Sequence, residues 1–272
     1  MSGTCSSAAT GTGGGTGSAP VALVTGASRG IGAAVARVWH EAGVRLALCA
    51  RRAPVLEDGP DVLARRLDVA FAGALASFAD DAVARFGRID CWVNSAAVLE
   101  PVGPLDLATA EEIARHLAVN VVAVAEGCAS FARHVRARGG GGVLLNISSG
   151  AARHAYEGWA LYCASKAAVD QLSEVLALEG RAYGLRVHAV APGVVDTDMQ
   201  ALVRSTDPDR FPAVGRFRAL AAEGRLRAPE DVARDLLRLA FSPSAPPDAV
   251  VLRLEDLRPP GSALATDPTG RS

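Results

Sequence analysis

The sequence has few lysines, few aromatics and no paired cysteines, and each shortage closes off a class of function. Lys166 is the only lysine; the other basic residues, 28 in all with it, are arginines. Against 29 acidic residues the formal net charge is −1, and no lysine-rich face or basic block is present to grip a nucleic acid or an anionic membrane. Only 5% of residues are aromatic although 50% are hydrophobic. The core must therefore be Ala, Val and Leu, which suits helices packed closely on a parallel sheet. Five cysteines, Cys5, Cys49, Cys91, Cys128 and Cys163, form no CxxC pair. Their odd number, with no secretory signal, points to a reducing cytoplasm. No apolar run approaches about 18 residues without a charge or glycine, so no membrane-spanning helix is expected. His40, His116, His134, His154 and His188 are scattered without metal-ligand spacing. They read as solvated or structural, and no metal is expected.

What is present is an alternation of short apolar runs with helical stretches. Residues 1–18 and 259–272 read as disordered tails, rich in small and polar residues. The region 19–258 reads as one domain. Its first strand, 21–25, runs at once into Gly26-Ala-Ser-Arg-Gly30-Ile-Gly32 and a helix to about residue 42. Strand, glycine-rich turn and helix are the context a dinucleotide site requires: glycines admit a pyrophosphate close to the backbone, and the helix start offers free N–H groups.

The second strand, 44–50, ends in Ala50-Arg51-Arg52. An acid that would hold a ribose 2′-hydroxyl is missing there, and guanidinium groups, with Arg29 nearby, favour a 2′-phosphate and hence NADPH. A third strand leads to Leu67-Asp68-Val69, where Asp68 is placed to accept a hydrogen bond from an adenine amino group. A helix at 72–86 precedes a strand at 89–94, closed by the small residues Ser95, Ala96 and Ala97. A long helix is expected over 110–138. Within it, Asn120 lies in the apolar stretch Leu117-Ala-Val-Asn-Val-Val-Ala-Val, so its amide must be hydrogen-bonded, as a structural bridge or a site residue.

After Gly139–Gly142 comes a strand at 143–148, ending in Ser148-Ser149-Gly150 at the carboxyl edge, where open α/β sheets bind ligands. A helix at 160–179, a strand at 185–191 ending in Pro192-Gly193, a polar helical excursion at 199–227, a helix at 229–241 and a strand near 250–254 complete the pattern. Seven strands alternating with helices imply an α/β fold, a single doubly wound parallel sheet of Rossmann type with helices on both faces. The excursion at 199–227 reads as a substrate lid.

Within Gly158-Trp-Ala-Leu-Tyr162-Cys-Ala-Ser-Lys166, the tyrosine and the sole lysine stand one helical turn apart on one face. A phenol beside a fixed ammonium is a tunable proton donor.

Thr25-Gly26-x-x-x-Gly30-x-Gly32, Asn94-x-Ala96, Asn120, Ser149, Tyr162-x-x-x-Lys166 and Pro192-Gly193 occur in that order across the folded region. This set resembles the short-chain dehydrogenase/reductase family, with Ser95 and Ala97 standing where a second asparagine and a glycine are usual. The resemblance implies Tyr162 as general acid, its phenol made more acidic by the ammonium and the cofactor. It also implies Ser149 polarising a carbonyl oxygen, Lys166 holding the nicotinamide ribose, and Asn120 keeping a relay water in place. The cofactor would lie on Gly26, Ser28, Arg29, Gly30, Ile31, Gly32, Arg51, Arg52, Asp68, Val69, Asn94, Ala96, Tyr162, Lys166, Pro192, Gly193, Val195 and Thr197. Ser149, thirteen positions before Tyr162, is preferred to Ser148 because that spacing is usual in the family.

Asn146-Ile-Ser-Ser149, Gly158-Trp-Ala-Leu-Tyr-Cys163 and Ser205-Thr-Asp-Pro-Asp209 further resemble the sepiapterin reductases and the related benzil-reductase-like enzymes. That likeness implies NADPH-dependent reduction of a ketone or vicinal dicarbonyl, by a homodimer, with Tyr156, Trp159, Met199 and Leu202 around the substrate. Arg253 stands where sepiapterin reductases carry a pterin-anchoring aspartate. An oxidative alcohol or sterol dehydrogenase, and an idle NADP-sensing regulator, are the alternative readings.

Overall fold

Runs of apolar residues that leave no polar face have to be buried on both sides, and the strands follow that rule. The computed structural model describes residues 19–242 and 248–257; both expected tails lie outside the described residues. β1 (Val21–Thr25) is buried throughout. β2 (Arg45–Ala50), β3 (Val62–Arg66), β4 (Cys91–Asn94), β5 (Gly142–Ile147), β6 (Leu185–Ala191) and β7 (Val251–Arg253) join it in one sheet of order β3-β2-β1-β4-β5-β6-β7. Every pairing is parallel.

Successive side chains on each strand feed opposite faces. Val24, Leu48, Val93 and Leu145 pack under α1 (Gly30–Glu41) and α8 (Pro229–Phe241). Leu23, Trp92 and Leu144 pack under α2 (Ala74–Phe86), α4 (Ala123–Arg138) and α5 (Ala160–Gly180). Trp39 fastens the first layer by donating its indole N–H to the Ala233 carbonyl at 3.0 Å. The strand order reverses between β1 and β4, which opens the crevice at the carboxyl edge where such sheets bind ligands.

The helix expected over 110–138 is interrupted. α3 (Ala110–Leu117), started by a reciprocal Thr109–Glu112 capping box, passes into a π-turn at Ala118–Val122 before α4 begins. The wide turn is centred on Asn120, whose side chain is bonded to the β4–α3 loop. Such bulges are found mostly at functional sites. The excursion after β6 contains α6 (Asp198–Ser205) and α7 (Val214–Ala222). Its apolar side makes a third cluster beyond the sheet, where Phe211, Val214 and Phe217 meet Trp159 and Tyr162.

Candidate active site

The glycine turn is shaped by close approach. Gly26 has φ of 74°, and a Cβ there would lie 2.8 Å from the Ala96 backbone; one on Gly32 would lie 2.5 Å from the Gly26 carbonyl. Thr25 clasps the neighbouring strand end, its Oγ1 accepting from the N–H groups of Ser95 and Ala96 at 3.0 and 3.1 Å. α1 starts without a side-chain cap and with no acid in its first turn. A bare helix start above a cradle that any side chain would fill fits a pyrophosphate. Gly30 lies against the Thr197 side chain, which caps α6 by accepting from Gln200 N. Ser28 and Ile31 are half-buried in the same turn, and Val69 and Val195 are buried beside the edge.

Arg51 and Arg52 are exposed at the end of β2. Arg29 pairs with Asp198 at 3.1 Å, both side chains well exposed, and so bridges the glycine turn to α6. Two expected cofactor contacts have side chains already engaged within the protein. Asp68 accepts from Ala70 N at 3.0 Å and from the Arg115 guanidinium at 2.8 Å. Burial works against its ionisation, but those bonds and the charges of Arg115 and Arg51 hold its carboxyl below the usual range. Asn94 is turned into the sheet, accepting from Trp92 Nε1 and donating to Asn146 Oδ1, each at 2.8 Å. Asn146 passes the chain on to Ser173 at 2.9 Å.

Pro192 and Gly193 are held by a residue the sequence reading missed. Arg227 donates to the Pro192 carbonyl at 2.9 Å and pairs with the buried carboxylate of Asp235.

Ser149, Tyr162 and Lys166 come together where the end of β5 faces the first turns of α5. The Ser149 side chain, whose Oγ accepts from Ala151 N at 3.2 Å, interacts with the Tyr162 phenol and favours its ionised form. Lys166 Nζ donates to the Ile147 carbonyl at 2.8 Å and lies 5.6 Å from the centre of the Tyr162 ring. In the protein alone, burial governs the phenol: it pushes Tyr162 up to about 12, with the Ser149 side chain opposing and Cys163 adding to the rise. The same burial pulls Lys166 down to about 8, opposed by the charge of Asp170. Removing two groups from water disfavours the charged form of each.

Asn120 forms a structural bridge, one of the two readings its sequence left open. Its Oδ1 accepts from Val98 N at 2.9 Å and its Nδ2 donates to Val98 O at 2.8 Å, which fixes the amide's orientation. Its second amide hydrogen faces His116 Nε2 at 3.0 Å, with Ser165 Oγ at 3.4 Å. Both amide hydrogens are thus engaged within the protein, while Oδ1 keeps a second lone pair. His116, expected to be an ordinary histidine, is fully buried here. Nδ1 faces the Glu100 carbonyl at 2.8 Å, so it must carry the hydrogen, and Nε2 is the acceptor that Asn120 requires. Its ring stands edge-on to Tyr162, with centroids 6.4 Å apart. Burial, above all, lowers its pKa. The available signal was its spacing, four residues before Asn120 on one helix face.

The four expected substrate residues do share one place, as part of the third cluster. Trp159 stacks on Phe211 at 4.4 Å and meets Tyr162 edge-on at 5.5 Å. Tyr156 packs against Trp159 at 5.1 Å, while Met199 and Leu202 are half-buried at its edge. Gly158 admits this packing: its φ is 84°, and a Cβ would strike the Arg210 carbonyl at 2.3 Å. Arg253 is on β7, paired with Glu255 and largely exposed. Among the described residues no group of three or more His, Cys, Asp or Glu could hold a metal ion, and no helix is long and apolar enough to cross a membrane.

A protein-family model described as short chain dehydrogenase matches residues 20–208. The chain is 30% identical to a benzil reductase ((S)-benzoin forming) of Bacillus cereus over 247 residues, covering 84% of this chain and 97% of that protein. It is 35% identical to 3beta-hydroxysteroid dehydrogenase 1 of Eggerthella lenta, over 78% of this chain and 82% of that one. Among solved structures, the KRED1-Pglu enzyme superposes with a TM-score of 0.73 at 32% identity, over 86% of this chain and all of that one. The family match and these relatives agree with the parallel sheet, and the chain belongs to the short-chain dehydrogenases, oxidoreductases that work with a nicotinamide cofactor.

Proposed function

We propose that this protein is an NADPH-dependent carbonyl reductase that converts a ketone or vicinal dicarbonyl to the alcohol. The observation that carries the reading is the Tyr162 phenol beside Ser149, with Lys166 Nζ 5.6 Å from the centre of its ring. Two neighbouring hydroxyls can converge on one carbonyl oxygen, Ser149 polarising it and Tyr162 supplying the proton. Burial keeps the phenol protonated at neutral pH, so it carries the proton that the oxygen needs. A nicotinamide cofactor held on the glycine turn would supply hydride for the carbonyl carbon, and Tyr162 would give the oxygen the proton that completes the alcohol. Lys166, held from behind by the Ile147 carbonyl, would present its remaining hydrogens to the ribose hydroxyls. His116 and Asn120 brace these residues from the α3 side.

Arg51 and Arg52, at a strand end with no acid, support NADPH over NADH. The aromatic third cluster beside Tyr162 suits an aryl substrate, and the relatives named benzil reductases make benzil the first compound to try. Arg253, exposed and paired with Glu255, gives a pterin no anchor. The segment 199–227 would act as the substrate lid. A homodimer would use exposed Val122 on the π-turn and Val175 and Leu178 on α5. Four free thiols among the described residues suit a reducing cytoplasm. The test is NADPH oxidation with benzil and with simple aryl ketones, in the wild type and in Tyr162→Phe. Turnover that falls by on the order of 10²–10⁴ in the variant supports the reading; unchanged turnover refutes it.

A further inference from the structure

Three consecutive residues at the end of β5 each engage one residue of α5. Ser149 interacts with the Tyr162 phenol, the Ile147 carbonyl accepts from Lys166, and Ser148 Oγ donates to the Asp170 carboxylate. Tyr162, Lys166 and Asp170 follow one another at four-residue steps, so they share one face of the helix. The reaction proposed above uses the first two contacts and leaves the third unexplained. Ser148 is 2% exposed, and Asp170 is half-buried against it. A carboxylate withdrawn from water needs specific partners to offset the loss of hydration. Ser148 supplies a hydrogen bond, and Lys166 and Arg153 supply positive charge, while Glu174, one turn on, opposes. Lys166 in turn has His116 facing it from α3, which Lys166's charge disfavours protonating, and the Tyr162 ring beneath it.

We propose that Asp170, oriented by Ser148, is a positioning residue for Lys166: its carboxylate is the counter-charge that keeps the buried side chain an ammonium, aimed at the strand end and the cofactor. The role of that ammonium in turnover rests on the reductase reading above; the electrostatic coupling does not. The shift of Lys166 agrees in sign, since Asp170 is the one group opposing the downward pull of burial. Glutamate would reach too far to keep the Ser148 bond in the same geometry, and asparagine keeps the shape while losing the charge.

The sole lysine makes the test direct. The full chain, made with lysine labelled with ¹³C at Cε, gives one lysine signal, which can be titrated by NMR without any substrate. In Asp170→Asn the Lys166 midpoint is expected to fall by roughly half a unit or more, the sign required when an opposite charge is removed. An unchanged midpoint in the folded variant overturns the proposal. If Asp170→Asn does not fold, the wild-type signal carries the test alone. It must show a second, acid-side inflection as Asp170 titrates, and a flat acid side overturns the proposal. With benzil and NADPH, the alkaline limb of the kcat/KM profile should move to lower pH in Asp170→Asn by the same amount. Absence of wild-type turnover would count against the reductase reading and leave the NMR result to decide the coupling.

Discussion

The two halves of the sheet's carboxyl edge follow opposite plans. On the β5–α5 side the polar groups are buried and bonded within the protein: Asn120 to Val98 and His116, Lys166 to Ile147, His116 to the Glu100 carbonyl. On the β1–β2 side the chain presents a bare helix start and exposed arginines at 51 and 52. Under the proposed function the difference has a physical ground. Proton transfer depends steeply on the distance and alignment of a few atoms, which favours groups locked before substrate arrives. A phosphate is a large, fully charged target, which flexible guanidinium groups recognise from water without prior locking.

The contrast predicts a steep response on one side and a graded one on the other. The largest effect expected after Tyr162→Phe is from Lys166→Arg. A planar guanidinium cannot replace a compact ammonium bonded to Ile147 O in a closed site, and kcat/KM should drop by on the order of 100-fold. Activity within a few-fold of wild type would mean that the site is less exacting than its bonding suggests. Arg51→Ala with Arg52→Ala should act more mildly. KM for NADPH should rise by roughly tenfold, as when a charge-assisted hydrogen bond is removed, with KM for NADH nearly unchanged. An equal change for both cofactors would break the assignment of this rim to the 2′-phosphate.

The smallest effect concerns acid. His188 is buried, its Nδ1 facing the Ala249 carbonyl at 3.1 Å and its Nε2 without a partner among the described residues. Burial, first of all, lowers the pKa of His188, as it does for His116 and His134. Their folded values lie below the ordinary 6.5, so the stability they allow is whole above that pH and is lost as pH falls through the folded values. Thermal melts between about pH 7.5 and 5 should show Tm falling, and His188→Leu should flatten the fall. An identical acid slope in the variant would remove His188 from the account.

Much of this was legible beforehand because it is local. A glycine-rich turn between a buried strand and a helix, or a tyrosine four residues before a lone lysine, carries its geometry in its spacing. What was not legible depends on distant partners. His116 bonds a carbonyl 16 residues away and faces a serine 49 away. Asp68 is occupied by Arg115, 47 residues on. Asn94 points into the sheet because Trp92, two residues before it, and Asn146 on β5 claim its amide. The interruption at Ala118–Val122 lay hidden in an unbroken helical pattern, since the bonds to Val98 that accompany it come from another loop.

By itself the sequence determined the order of strands and helices, the glycine-rich turn, the arginines after β2 and the pairing of Tyr162 with the sole lysine. These follow from periodicity, backbone freedom and side-chain chemistry, which act over a few residues; the choice of Ser149 came from the spacing of the family it resembles. The tertiary structure decided the burial that raises the proton affinity of Tyr162 and lowers that of Lys166. It also brought His116 to the site and gathered Trp159, Phe211 and Phe217 beside it. Burial and long-range contact set these properties, and neither exists until the chain has closed on itself.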